Sequence, residues 1–250
     1  MHPARIAELL EPFLSAISNS CHSEPGRRPG EEPAVLSSTQ LDHISTYIDM
    51  LLRWNPRINL TGIRDPKEIV TRNFGESLFA ARHLFPTPAL QGKTEKNFSA
   101  ASASSAVRGL ARVADFGSGA GFPGVPIKIW APEVALTLIE SNHKKAIFLR
   151  EVVRSLTLTD VDIKNARAEN IAPTQTFDIV TLRAVERFTD ALPIAARLLA
   201  PTARLTLLIA APQLEAARSV LPTLTWTQPI PIPQSHSRLL LVGSRDRHST

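Results

Sequence analysis

Apolar residues recur at helical spacing in the first third of the chain and in short, strand-like runs beyond residue 111. Leu41, Ile44, Tyr47, Ile48, Leu51 and Leu52 fall three or four apart, which places them on one face of a helix. Thr39 followed by Asp42 resembles a capping box that would open it. A second helix is expected over 65–84. It opens on Asp65-Pro66-Lys67-Glu68, an N-cap, a proline at the first helical position and a carboxylate at N3. Ile69, Val70, Phe74, Leu78 and Ala81 mark its buried stripe, and Trp54 to Arg64 is read as the connection.

From Arg112 the pattern changes. β-rich runs at 112–116, 135–140, 160–164, 177–182, 203–210 and 238–243 alternate with helical stretches such as 142–155 and 190–199. Strands and helices in alternation imply a doubly wound, mostly parallel α/β sheet, here with a small N-terminal helical extension. In such sheets ligands bind beyond the carboxyl ends of the strands. Residues 19–36 and 87–108, the latter with the run SAASASSA, carry no periodicity and read as loops or inserts. The expected organisation is an N-terminal helix with a low-complexity stretch over 1–36, a helical subdomain over 37–86, a Ser/Ala-rich insert over 87–110 and a ligand-binding α/β domain over 111–250.

The first strand runs into VADFGSGAGFPG. Gly117, Gly119 and Gly121 allow a sharp turn and close approach of backbone to a ligand. Gly119, Gly121 and Gly124 also satisfy G-x-G-x-x-G, a pattern shared with dinucleotide-binding folds. Asp115 separates the two readings. A carboxylate two residues before the first glycine repels a pyrophosphate but favours the ammonium and sulfonium of S-adenosylmethionine (SAM), which has no phosphate. Glu140 closes the second strand 23 residues after Gly117, near the spacing at which an acid reaches a ribose hydroxyl. That feature fits SAM and NAD alike, so an NAD-dependent oxidoreductase stays open as the alternative.

Net charge is +5, and arginine supplies 21 of 28 basic residues. Arginine suits phosphate and base contacts, although a solvated basic surface would read the same way. Arg53, Arg57, Arg64, Arg72 and Arg82 fall in the helical block, and His143, Lys144 and Lys145 open the helix after Glu140. The single cysteine, Cys21, cannot form an internal disulfide, and no Cys/His cluster has metal-ligand spacing. Glu8, Glu11 and Pro12 interrupt the N-terminal apolar stretch, and no apolar run approaches the roughly 20 residues that span a bilayer. A cytoplasmic, monomeric protein without membrane or metal partner is expected.

Four motifs in order, WNPRINLTGIRDPKEIVTRNFGESLFAARHL, VADFGSGAGFPGVPIKI, LIESNHKKAIFLREV and FDIVTLRAV, resemble the bacterial 16S ribosomal RNA guanine-N7 methyltransferase family, also called glucose-inhibited division protein B. The resemblance covers roughly 40–85 and 110–210. It implies cofactor contacts at Gly117, at the bulky Phe122, at the pair Ala168 and Glu169 after the third strand, and at Arg183 after the fourth. It further implies 16S RNA or the small ribosomal subunit as partner; a SAM methyltransferase with a non-RNA substrate stays open as an alternative. Two departures stand out. LLIAAPQ lacks the lysine-glycine usual after the fifth strand, and Asn73 stands where histidine is common. Cys21 lies outside the catalytic domain, and LRAVERF offers no Asn/Asp-Pro-Pro-aromatic motif, so the devices for pyrimidine C5 and exocyclic amines are missing. Guanine N7 needs neither, and no catalytic residue is assigned.

Overall fold

The computed structural model describes residues 1–15, 35–86 and 110–245. The low-complexity stretch 87–108 and Cys21 lie outside them, as does 19–36 apart from Val35 and Leu36.

Helix α1 (Pro3–Leu14) buries Ile6, Leu10, Phe13 and Leu14. Helix α2 (Ser38–Ile58) carries the expected stripe, with Ile44, Tyr47, Ile48 and Leu51 buried. Its capping box is Ser37 and Gln40, not Thr39 and Asp42. The amide of Gln40 also donates to the Ile129 carbonyl at 2.8 Å, so a tertiary bond selects between two adjacent capping patterns. The helix runs through Pro56 to Ile58, and Trp54 therefore sits within it rather than on a connection. Asn59 in the left-handed conformation (φ 50°) ends it.

The helix expected over 65–84 is present with one irregularity. Asp65 caps the turn α3 (Pro66–Glu68), a π-helical stretch follows over Ile69–Gly75, and α4 (Glu76–Leu84) continues. The wider π turn rotates the downstream face, so Asn73, Glu76 and Ser77 are buried beside the apolar stripe.

The sheet is built from β1 (Arg112–Phe116), β2 (Ala135–Ile139), β3 (Val161–Lys164), β4 (Phe177–Arg183), β5 (Leu199–Ala210), β6 (Leu224–Trp226), β7 (Ile230–Pro231) and β8 (Arg238–Arg245). Its order is β3-β2-β1-β4-β5-β8-β6, with β7 also pairing β8. Strands β1 to β5 run parallel, whereas β8 is antiparallel to β5. The short strands β6 and β7 carry too little alternation to be read from sequence, and pairing with β8 defines them.

Helices α5 (Gly124–Trp130), α6 (His143–Ser155), α7 (Phe188–Arg197) and α8 (Leu214–Val220) connect the strands. Alternate residues of β1 point to opposite faces: Val113 joins a core shared with α1, α2, α4, α5 and α6, while Ala114 and Phe116 join one shared with α7. The N-terminal helices thus pack on the same face of the sheet as α5 and α6. Strand order reverses between β1 and β4, the place beyond whose carboxyl ends sheets of this kind bind ligands.

Candidate functional site

The turn between β1 and α5 lies at that reversal. Gly117, Gly119 and Gly121 take φ of +67°, +56° and +93°, all in the left-handed region that favours glycine. Hydrogen bonds hold the turn from beneath. The Ser118 N–H donates to the Ile139 carbonyl (3.0 Å), its hydroxyl to the Asp115 carbonyl (2.9 Å) and the Gly121 N–H to the Ser118 carbonyl (2.6 Å). Gly117 remains exposed and Gly119 half-buried. A Cβ placed on Gly117 would meet nothing closer than Val185 at 3.6 Å, so the space over this glycine is open to a ligand.

Asp115 does not face that space. It is fully buried, and its carboxylate accepts from the Gly124 N–H (3.2 Å) and the Thr181 hydroxyl (2.8 Å). The expectation of a carboxylate lying beside a ligand's ammonium is corrected by this burial. The electrostatic distinction survives in another form: Asp115 itself occupies the amide at the start of α5, where a dinucleotide fold would place pyrophosphate. Burial raises the Asp115 pKa to about 6, opposed by the hydrogen bonds from Thr181, Gly124 and Ser118 and by the charge of Arg183.

Glu140 is buried as well, and its carboxylate accepts from the Gly119 N–H at 2.8 Å and the Asn142 N–H at 2.6 Å. It couples the turn after β1 to the turn after β2. Asn165, beyond β3, extends the link by donating to the Glu140 carbonyl at 3.0 Å. A 3-10 turn over Ala168–Asn170 follows, with Ala168 buried and Glu169 exposed; the Glu169 carbonyl accepts from Arg197 at 2.9 Å.

Phe122 is buried. Its ring stacks on Tyr47 (5.3 Å between centroids, 4° between planes) and meets Phe74 edge-on at 5.1 Å. The Arg183 guanidinium lies 6.0 Å from the Phe122 ring centre. Arg183 also donates to the Glu76 carboxylate (3.3 Å), the Arg72 carbonyl (2.8 Å) and the Asn73 side-chain oxygen (3.1 Å). Burial lowers its pKa, against the attraction of Glu76.

The structure thus joins Gly117, Gly119 and Glu140 in one hydrogen-bonded unit and Phe122 with Arg183 in another. It sets Ala168 and Glu169 at the end of β3, two strands away. Sequence reasoning missed Glu76, whose carboxylate takes both Arg183 and, at 3.1 Å, Arg238 from β8. Arg238 is paired in register with Ala210, so β8 brings a cation to the end of β5, where the usual lysine is missing. Periodicity alone does not show that the Glu76 side chain turns inward, and the π turn before it puts it there. Asn73 Nδ2 and Arg238 Nε are buried without a hydrogen-bond partner among the described residues.

Comparison with known proteins decides the affiliation. A family model described as rRNA small subunit methyltransferase G matches residues 40–87 and 97–221. The chain belongs to that family. A ribosomal RNA small subunit methyltransferase G from Desulfitobacterium hafniense (strain Y51) is 40% identical over 168 residues, covering 66% of this chain and 60% of that protein. One from Xylella fastidiosa (strain 9a5c) is 37% identical over 153 residues, 61% of each. The chain thus spans about 60% of the length of these relatives. Among solved structures, a ribosomal protein L11 methylase from Lactobacillus delbrueckii subsp. bulgaricus superposes with a TM-score of 0.51 and 11% identity, over 70% of this chain and 80% of that one. That likeness concerns the fold. The family match takes in both α2 and the glycine turn, and it ends before β6, β7 and β8.

Proposed function

We propose that this chain is a SAM-dependent methyltransferase that methylates N7 of a guanine in 16S ribosomal RNA. The observation that carries the reading is the family match across the helical block and the sheet together. The turn fits the cofactor: Gly117 and Gly119 present open backbone, and no anion is accommodated at the start of α5 because Asp115 already stands there. This weighs against the dinucleotide alternative.

When bound, SAM would supply a methyl group on its sulfonium; in-line transfer to the acceptor nitrogen would break that C–S bond and leave S-adenosylhomocysteine. The chain's part is to align donor and acceptor and to exclude water. Gly117 and Gly119 admit the cofactor, Glu140 fixes the Gly119 amide, and Ala168 and Glu169 bound the adenosine end. Arg183, held by Glu76, stands over Phe122 on the side nearest the helical block. Guanine N7 has a free lone pair, and the mechanism needs no general base. The target base would reach the carboxyl edge of the sheet from a single-stranded loop or after flipping from its stack.

RNA would be held by cations at the same edge. Arg72, Lys144, Arg167 and Arg187 are exposed there, on the π-helical stretch and on the connections after β2, β3 and β4. We further propose that the protein acts as a cytoplasmic monomer; no described helix is long and apolar enough to cross a membrane. Among the described residues, no three His, Cys, Asp or Glu side chains converge to hold a metal.

The deciding experiment incubates the protein with labelled SAM and unmodified small-subunit particles, free 16S RNA, or a protein control. Label in the RNA as 7-methylguanine is the expected result. Label in the protein control alone, or binding of NADH but not of S-adenosylhomocysteine, overturns the reading.

A further inference from the structure

The helical block contributes more than surface cations. Tyr47, in the middle of α2, is fully buried, and its hydroxyl donates to the Ala120 carbonyl inside the glycine turn. Its ring lies flat on Phe122 and takes the edge of Phe74 at 5.3 Å. Other hydrogen bonds of Ser118, Gly119 and Gly124 come from β1, from β2 and Glu140 just beyond it, and from the turn itself. Tyr47 is the brace that enters from outside the sheet.

Gly121 records how close this brace comes. A Cβ there would run into the Tyr47 hydroxyl, and would also press on Val125 at 3.0 Å and Leu149 at 3.1 Å. The glycine is therefore required twice, by its φ of +93° and by the tyrosine above it. Burial, with the neighbouring Asp115 charge, raises the phenol pKa well above its ordinary value, so it stays a neutral donor.

We infer that Tyr47 is a positioning residue for the cofactor, fixing the glycine turn so that exposed Gly117 and half-buried Gly119 meet SAM in register. On this view α2 is part of the cofactor site rather than an appendage to it. The inference rests on the reading of this turn as a SAM site, and wild-type binding tests that reading separately.

Tyr47→Phe retains the ring and removes the hydrogen bond. Ile44→Val, on the same fully buried face of α2, trims the core and leaves the Tyr47 hydroxyl in place. Titration with S-adenosylhomocysteine, well below the melting temperature, should show Tyr47→Phe binding about tenfold more weakly, because the Ala120 carbonyl loses its partner. KM for SAM should rise in step, with kcat at saturating SAM retained. Ile44→Val should melt earlier yet bind as the wild type does. Tyr47→Phe binding within twofold of wild type overturns the inference, as does equal weakening by Ile44→Val. Failure of the wild type to bind S-adenosylhomocysteine overturns the cofactor reading and the inference with it.

Discussion

At the scale of single residues, the glycine turn is held by buried carboxylates. Asp115 and Glu140 accept from backbone amides, so their charges shape the turn itself. Gly117 is the complement, exposed and under no packing constraint. Gly117→Asp should abolish S-adenosylhomocysteine binding, a loss of more than about 100-fold, while the left-handed backbone costs roughly 1 kcal/mol of stability. Calorimetric titration beside a thermal melt separates the two effects. Asp115 yields a prediction in pH. Its folded pKa of about 6 exceeds the ordinary 3.8, so the folded state holds this proton more tightly than the unfolded one. Stability from this group is complete below the unfolded value and is lost as pH rises through about 6. Asp115→Asn removes the titration. Its stability relative to wild type should therefore improve between pH 4 and 7, by on the order of 2–3 kcal/mol. Denaturant melts at several pH values check it, and a difference independent of pH would contradict the assignment.

At the scale of elements, the π-helical stretch is the feature on which most depends. By rotating α4 it buries Glu76 where Arg183 and Arg238 converge, and it aims Phe74 at Phe122. It also brings Gly75 against α1: a Cβ there would stand 2.6–2.8 Å from Phe13 ring atoms. Gly75→Ala should loosen α1 from the block at a cost of about 1–3 kcal/mol. Limited trypsin digestion would show it as faster cleavage at Arg5, with the cofactor turn still binding S-adenosylhomocysteine. Periodicity indicated a helix over these residues but could not show the extra residue in its turn. Apolar spacing of three and four is compatible with either geometry, and the choice falls to packing against Tyr47 and Phe122.

At the scale of the whole molecule, Arg72, Lys144, Arg167 and Arg187 are exposed on the helical block and the connections after β2, β3 and β4, and RNA affinity should follow them. Arg72→Gln and Lys144→Gln should each lower the slope of log K against log salt by about 0.7–0.9, because each removes one counterion-releasing contact. Filter binding over a salt series measures this, and unchanged slopes would place the RNA elsewhere. The chain's own residues determined the parallel strands, the helices between them and the glycine turn. Each of these depends on local spacing, on φ preference or on an N-cap within a few residues. Legible too, through four ordered motifs, was the family. Tertiary structure alone decided what meets what: Tyr47 on Ala120, Glu76 between Arg183 and Arg238, and β8 delivering a cation beside β5. Tyr47 and Glu76 find these partners 73 to 162 residues away in the chain. Over such distances no local pattern constrains a pairing, and burial in a shared core selects it.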